Sequence, residues 1–243
     1  MNKIIPQIYQ CLFCLIVLES FFISNSSKAF FPIVNEPNQE ELESTSIKIK
    51  NTAIQLIQFG QNDEAINLLK LAIKLNPKEK ELWVTLAEAQ IRSNRKYQGL
   101  ASLDEAIKIK PDSPNTYLTK ASIYMDLNDP KKAKISIKKS LSFNKNNERA
   151  FFQLGNAEIM LNNYKSAIIS FKKSSKINSK FWQSINNEGL ILYELDNAKE
   201  ALSKFKLALK ISNNPEPMLA LAIVLFATNN NSIESIKLAK NAL

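Results

Sequence analysis

The side chains that could perform chemistry in this 243-residue chain are few, and they do not converge. The sequence contains no histidine, which excludes a Ser-His or Cys-His nucleophile pair, an imidazole metal site and a histidine proton shuttle. Glu158 and Glu188 could supply the carboxylates of an acid–base site, but the sequence pattern brings no third group to either of them. Such carboxylates on helices more often form salt bridges or face solvent, so we do not expect an enzyme.

Motifs that bind phosphates or metal ions are also missing. Four glycines are too few for a glycine-rich phosphate loop together with the turns of a sheet protein. The sequence has no Walker-type loop, no Gly-x-Ser-x-Gly elbow, no metal-binding pair of cysteines and no HExxH motif. We therefore predict no cofactor and no metal. Apolar residues make up 45% of the chain, which is enough for a hydrophobic core.

The N-terminal segment, residues 1–29, has the layout of a secretory signal peptide. Lys3 gives a basic start, an apolar run follows over residues 11–23, and Ser27-Lys28-Ala29 offers the small residues that a signal peptidase recognises. The alternative is an uncleaved membrane anchor, although the polar residues in this region would make a poor span. The prediction is export to a periplasm or thylakoid lumen, or anchoring in a membrane.

Cleavage after Ala29 would remove both cysteines, Cys11 and Cys14, and leave a mature chain without a thiol. A disulfide framework is thereby excluded. Residues 30–45 contain Pro32, Pro37 and four glutamates, which predicts a polar linker that leads into the folded body.

From residue 46 onward the sequence repeats with a constant 34-residue period. One column of small residues holds Ala65, Gly99, Ala133, Ala167, Ala201 and Ser235. A second holds Ala53, Ala87, Ala121, Gly155 and Gly189 before it breaks to Ile223. A third, with bulky apolar residues, holds Leu69, Leu103, Ile137, Phe171 and Phe205. Columns that stay in phase over six units indicate a repeat architecture.

Each unit has the pattern of two amphipathic helices. In the second unit Trp83, Leu86, Ala87 and Ile91 recur at steps of three and four residues, which predicts one helix with an apolar stripe. A polar turn over residues 94–97 precedes a second stripe that contains Leu100, Leu103, Ala106 and Ile107. Each helix pair leaves an apolar flank that only the next pair can cover, so the units must stack.

The spacing and the columns resemble the tetratricopeptide repeat (TPR). The resemblance covers roughly Ser46 to Leu243 and is strongest in units two and four. It implies an all-α fold, a right-handed α-solenoid of about six helix-turn-helix units over residues 46–243, with units that start near residues 46, 80, 114, 148, 182 and 216. Lys120 and Glu188 depart from the family pattern, because they replace an expected leucine.

In TPR proteins the first helix of each unit lines a concave groove that holds peptides. Transferred to this sequence, the resemblance implies an inner row made of Asn51, Thr85, Thr119, Gln153 and Asn187, with Arg149, Asn156 and Asn186 beside it. Amides and hydroxyls, one per unit, suit hydrogen bonding to the backbone of an extended peptide. The alternative is that these side chains form a merely solvated helix face.

Positive charge is concentrated between Lys131 and Lys180. This segment contains 12 Lys or Arg against Glu148 and Glu158, a net charge of +10, which exceeds the +9 of the whole chain. Many of these lysines fall on predicted second helices. They indicate either attraction to an anionic membrane surface or an acidic partner, or simply a solubilising surface.

Three functions follow from these patterns. The first is a protein–protein interaction scaffold, exported or membrane-associated, that binds a peptide or partner protein in its groove and assists complex assembly. The second is nucleic-acid binding by a basic helical repeat, against which the constant 34-residue step and the export signal argue. The third is self-association, because the uncapped sixth unit is expected to expose Ala220, Leu221 and Val224.

Overall fold

A computed structural model describes residues 38–228 and 232–242, and within these ranges the chain forms twelve α-helices. Residues 39–243 belong to one compact unit. In chain order the helices are α1 Gln39–Gln58, α2 Asn62–Leu75, α3 Lys80–Arg92, α4 Lys96–Ile109, α5 Pro114–Asp126, α6 Pro130–Phe143, α7 Glu148–Met160, α8 Tyr164–Ile177, α9 Trp182–Glu194, α10 Ala198–Ile211, α11 Pro215–Ala227 and α12 Ser232–Asn241. The described part of the chain contains no β-strand.

The helices form six consecutive pairs, α1–α2 to α11–α12, which we call units one to six. In each pair the second helix packs on the first helix of its own unit, and in units one to five it also packs on the first helix of the next unit. The first helices of units two to six begin at residues 80, 114, 148, 182 and 215. The all-α solenoid predicted from the 34-residue period is therefore confirmed.

The turn inside each of units one to five uses a left-handed residue at the same column. Gly60 has a φ of 77°, and Asn94, Asn128, Asn162 and Asp196 have φ between 57° and 59°. Glycine adopts this conformation freely, and Asn and Asp tolerate it better than other residues do. In unit two the following backbone N–H, that of Arg95, donates to the Gln90 carbonyl at 2.7 Å. The helix end is thereby closed and the chain reverses direction.

The small-residue columns lie where the two helices of a unit meet. Ala65, Ala133, Ala167 and Ala201 on the second helices are fully buried, and so are Ala53, Ala87 and Ala121 on the first helices. The bulky column, which includes Phe171 and Phe205, fills the space beside them and is also fully buried. Small residues allow the close approach of the helix pair, and the bulky residues provide most of the buried apolar area.

Two sequence expectations are corrected at the ends of the array. Residues 39–45, assigned to the polar linker, belong to α1, whose first turn places Glu40 and Glu41 near the positive end of the helix dipole. In unit six Ala220, Leu221 and Val224 are buried rather than exposed, because they pack with Phe205 of unit five. The large apolar residues of α11 that are exposed are instead Leu219, Ile223 and Phe226.

The predicted signal peptide or anchor over residues 1–29, and residues 30–37 of the predicted linker, lie outside the described residues. Among the helices that are described, none combines the length and the apolar character that a membrane crossing requires.

Candidate functional site

The first helices of successive units form one side of the stack. Besides their contacts with second helices, α1 contacts α3, α5 contacts α7 and α9 contacts α11 directly. Closely spaced first helices mark the inner side of a helical solenoid. The inner row predicted from the sequence contributes one residue from each of five first helices, namely Asn51 (α1), Thr85 (α3), Thr119 (α5), Gln153 (α7) and Asn187 (α9).

The two threonines of this row use their hydroxyl groups within their own helices. Thr85 Oγ1 donates to the Glu81 carbonyl at 2.8 Å, and Thr119 Oγ1 donates to the Asn115 carbonyl at 3.1 Å. A hydroxyl hydrogen that is already donated is not free for a ligand, although the oxygen can still accept. Units two and three therefore offer less hydrogen bonding on this side than the sequence pattern alone implies.

The first helices of units four and five, α7 and α9, carry four amides of the predicted site, of which two are bonded to each other. Asn187 Nδ2 on α9 donates to Asn156 Oδ1 on α7 at 3.2 Å, which joins the two units. On the same two helices, Gln153 Oε1 and Asn186 Oδ1 are buried and accept no hydrogen bond from any residue in the described ranges. Buried polar atoms are normally paired, so these two carbonyl oxygens are exceptions. Because both are closed off from solvent, a donor from outside the chain reaches them only if neighbouring side chains move.

The remaining predicted site residues differ from this cluster in their exposure. Arg149 at the start of α7 and Asn51 on α1 are exposed. Leu190 on α9 and Met160 on α7 are exposed apolar residues of the same two first helices as the amides. Phe152 is half-buried and packs its ring against Phe171 and Phe181.

The two carboxylates singled out from the sequence are buried in ion pairs. Glu158 on α7 lies 2.7 Å from the Lys134 ammonium on α6 and accepts a hydrogen bond from Asn163 Nδ2 at 3.0 Å. Glu188 on α9 has a side chain that is only 1% exposed, with the Lys204 ammonium at 2.9 Å and the Lys172 ammonium at 3.9 Å. Both glutamates are thus paired with lysines of neighbouring second helices, which is a structural role.

The Glu188 ion pair is incomplete. The Lys204 ammonium is close to Oε1, but it does not lie in hydrogen-bonding geometry, and neither carboxylate oxygen accepts a hydrogen bond from the residues described. A buried charge without full hydrogen bonding costs free energy that a close counter-charge offsets only in part.

Among the acidic groups, Asp129 forms a capping interaction that shifts its titration. Asp129 precedes α6 and accepts from the Lys132 backbone N–H at 3.0 Å, and its Oδ2 lies 2.9 Å from the Lys132 ammonium. The backbone donor first, and then the ammonium, hold the pKa of the Asp129 carboxyl below its ordinary value. The same carboxylate raises the pKa of Lys132.

Comparison with known families identifies the repeat. Family models described as tetratricopeptide repeat match residues 56–98, 114–147 and 148–181. The chain belongs to the tetratricopeptide repeat family. No curated protein matches the sequence of this TPR chain.

Solved structures support the same fold at low sequence identity. PilW, titled a widely conserved type IV pilus biogenesis factor, is 17% identical with a TM-score of 0.69, over 80% of this chain and 90% of PilW. PilF of Pseudomonas aeruginosa is 14% identical with a TM-score of 0.68, over 84% of this chain and 90% of PilF. YrrB, titled a TPR protein with an unusual peptide-binding site, is 19% identical with a TM-score of 0.55, over 72% of this chain and 90% of YrrB.

The sequence shows two charged residues at a TPR column that normally holds leucine, and the structure adds their partners. Lys120 on α5 pairs with Asp104 on α4, and Glu188 on α9 pairs with Lys172 on α8. Both partners occupy the same column, on the second helix of the preceding unit. In both cases a residue of opposite charge stands 16 residues before the charged residue that replaces leucine. This spacing is the sequence signal that predicts these contacts.

Proposed function

We propose that this TPR array is a non-enzymatic protein-interaction scaffold that holds an extended segment of a partner protein against the first helices of units four and five. The observation that supports it most is the pair of buried acceptors, Gln153 Oε1 and Asn186 Oδ1, on the two helices joined by the Asn156–Asn187 hydrogen bond. Backbone N–H groups of an extended peptide would satisfy such acceptors once neighbouring side chains move aside and open them to the groove.

The chemistry around the amides fits a peptide rather than a small metabolite. Arg149 offers a cation to an acidic side chain or a C-terminal carboxylate, and Leu190 and Met160 offer apolar contact. Asn51, Thr85 and Thr119 would extend the same row toward unit one, with the two threonines acting as acceptors. YrrB, a structural neighbour, is itself titled a TPR protein with a peptide-binding site, which supports this use of the fold.

We further propose that the chain works outside the cytoplasm or on a membrane face, as a factor that holds partners during the assembly of a complex. The three-part layout of residues 1–29 supports export. The pilus-biogenesis title of PilW supports an assembly role for a TPR array of this kind.

The groove is tested by selecting ligands from a random peptide library on the full chain and then measuring their dissociation constants. Gln153→Ala with Asn187→Ala removes one acceptor and the bond between units. Asn67→Ala with Gln98→Ala removes two exposed amides from second helices and is the matched control. We expect the groove variant to bind on the order of tenfold more weakly, since a net hydrogen bond contributes about 1 kcal/mol.

Equal affinities for the groove variant and the control would contradict a site in units four and five. Circular dichroism of both variants checks that they remain folded. Cell fractionation with sequencing of the mature N-terminus tests the location separately. Full-length protein in the cytoplasm would contradict export, while a mature chain that begins at Phe30 would support it.

A further inference from the structure

The outward faces of α6, α8 and α10 form a surface dominated by lysine. These three second helices contain thirteen lysines and a single carboxylate, Glu200. Lys134 and Lys204 pair with buried glutamates, and the other eleven lysines are exposed. They are Lys131, Lys132, Lys138 and Lys139 on α6, Lys165, Lys172, Lys173 and Lys176 on α8, and Lys199, Lys206 and Lys210 on α10. Together with the exposed Ile135, Ile169 and Leu207 they are called the lysine face.

The lysine face is not a general property of this repeat. Units one and two place Asp63 and Asp104 in the columns that hold Lys131 and Lys138 in unit three. The change from mixed to positive charge therefore begins at one boundary between units and persists over three successive second helices. A packing requirement would affect every unit alike, so the charge has another cause.

Most of this charge is uncompensated within the chain. Only Lys132, which pairs with Asp129, and Lys172, at 3.9 Å from Glu188, have a carboxylate within ion-pair distance among the residues that the structure describes. In the same ranges the other nine lysines of the face have none. A dense, unpaired set of cations on one surface attracts a polyanionic partner.

Exposed aliphatic side chains distinguish between polyanions. Ile135 is 69% exposed and Ile169 is 56% exposed, and the two occupy the same column of successive units, surrounded by lysines. Nucleic-acid surfaces use arginine and aromatic rings that are open for base stacking. The lysine face contains no arginine, and the exposed ring beside it, Phe143, already stacks on Tyr117 and lies under the Lys139 ammonium. Exposed aliphatic residues surrounded by lysines are instead typical of protein surfaces that bind anionic lipid bilayers.

We propose that the lysine face docks the array on an anionic lipid bilayer, with the ammonium groups at the headgroups and Ile135 and Ile169 in the apolar boundary. This contact uses second helices only. It leaves the amides of α7 and α9, on first helices, open to a partner, so it is independent of what the groove binds.

The test is co-sedimentation of the full chain with phosphatidylcholine vesicles, with and without phosphatidylglycerol, at low and high NaCl. The lysine-face variant combines Lys131→Gln, Lys165→Gln and Lys199→Gln, and so removes one lysine near the N-terminus of each helix. The helix dipole does not stabilise a positive charge at that end, so we expect the variant to remain folded. Lys70→Gln with Lys74→Gln and Lys78→Gln removes the same charge from exposed positions of unit one and its following turn. A third variant is Ile135→Ser with Ile169→Ser.

We expect the wild-type chain to prefer phosphatidylglycerol vesicles and to dissociate as salt rises. The lysine-face variant should lose on the order of a hundredfold in partitioning, the unit-one control should not, and the isoleucine variant should lose several-fold. Equal binding of the lysine-face variant and the control would overturn the proposal. It would also be overturned if an RNA oligonucleotide displaced the vesicles while the isoleucine variant bound like wild type, since that assigns the face to nucleic acid.

Discussion

Gly155 on α7 lies directly against the ring of Phe171 on α8. A Cβ placed on Gly155 would come within 2.5 Å of Phe171 Cε1, far inside van der Waals contact. Gly189 has the same relation to Phe205 in the next unit, at 2.8 Å. Units with alanine at the glycine column have leucine or isoleucine instead of phenylalanine at the partner column. The two columns therefore share one fixed space, which each unit divides differently.

Replacement of Gly155 by alanine should destabilise the array by about 1–3 kcal/mol, because the added methyl group must displace a buried ring. Gly155→Ala combined with Phe171→Leu recreates the division of space found in unit one and should recover most of the loss. Urea unfolding of the two variants and of Phe171→Leu alone measures the coupling between the sites. Additive effects of the two substitutions would mean that the ring and the glycine are not in steric contact.

The ion pair at Glu188 should contribute less to the free energy of unfolding than an apolar contact at the same place would. Glu188→Leu with Lys204→Met should be neutral or stabilising by about 1–4 kcal/mol, since it removes two desolvated charges. Lys204→Met alone should destabilise by about 3 kcal/mol, because only Lys172 at 3.9 Å would remain near the buried carboxylate.

Thermal unfolding of both variants and of Glu188→Leu alone decides between these outcomes. The exposed pair Lys108–Glu105 supplies a matched control, in which Glu105→Leu with Lys108→Met should change stability little. The prediction would be contradicted if the double variant Glu188→Leu with Lys204→Met were less stable than Lys204→Met alone. That result would mean that the ion pair itself stabilises the fold.

The cap of α6 should make stability depend on acidity below pH 4. Hydrogen bonds from Lys132 lower the pKa of Asp129 from its ordinary value of 3.8. The ionised Asp129 carboxylate therefore stabilises the folded state. This stabilisation is complete when the pH is above the ordinary pKa, and it is lost as the pH falls through the lowered pKa of the folded protein. The stability difference between wild type and Asp129→Asn should therefore be constant above about pH 5 and shrink below it. Urea midpoints from pH 2 to 6 measure this, and a difference that stays constant to pH 2 would contradict it.

The helical architecture could be predicted from the sequence because it depends on residues that recur. The columns that contain Ala133 and Phe171 predict pairs of packed helices, and the structure has such pairs with both columns buried. The same argument was wrong about Ala220, Leu221 and Val224, because which side of the last first helix is covered depends on its rotation against unit five.

The candidate site was less predictable, because it depends on pairings that do not recur. The repeat places Thr85 and Gln153 in the same row. Only the structure shows that the Thr85 hydroxyl donates to the Glu81 carbonyl. It also shows that the Gln153 side-chain oxygen accepts no hydrogen bond from the residues described. The peptide-binding role of the predicted row remains a prediction.

The paired charges at the leucine column have a consequence for the order of the units. If units three and five were exchanged, Lys120 would follow unit four and meet Lys172, and Glu188 would follow unit two and meet Asp104. Like charges would then face each other at both junctions, in place of the present ion pairs. Although the repeats share their columns of small and bulky residues, they are not interchangeable modules. Recombination or duplication within this gene would cost less stability where the charges at the new junction still match.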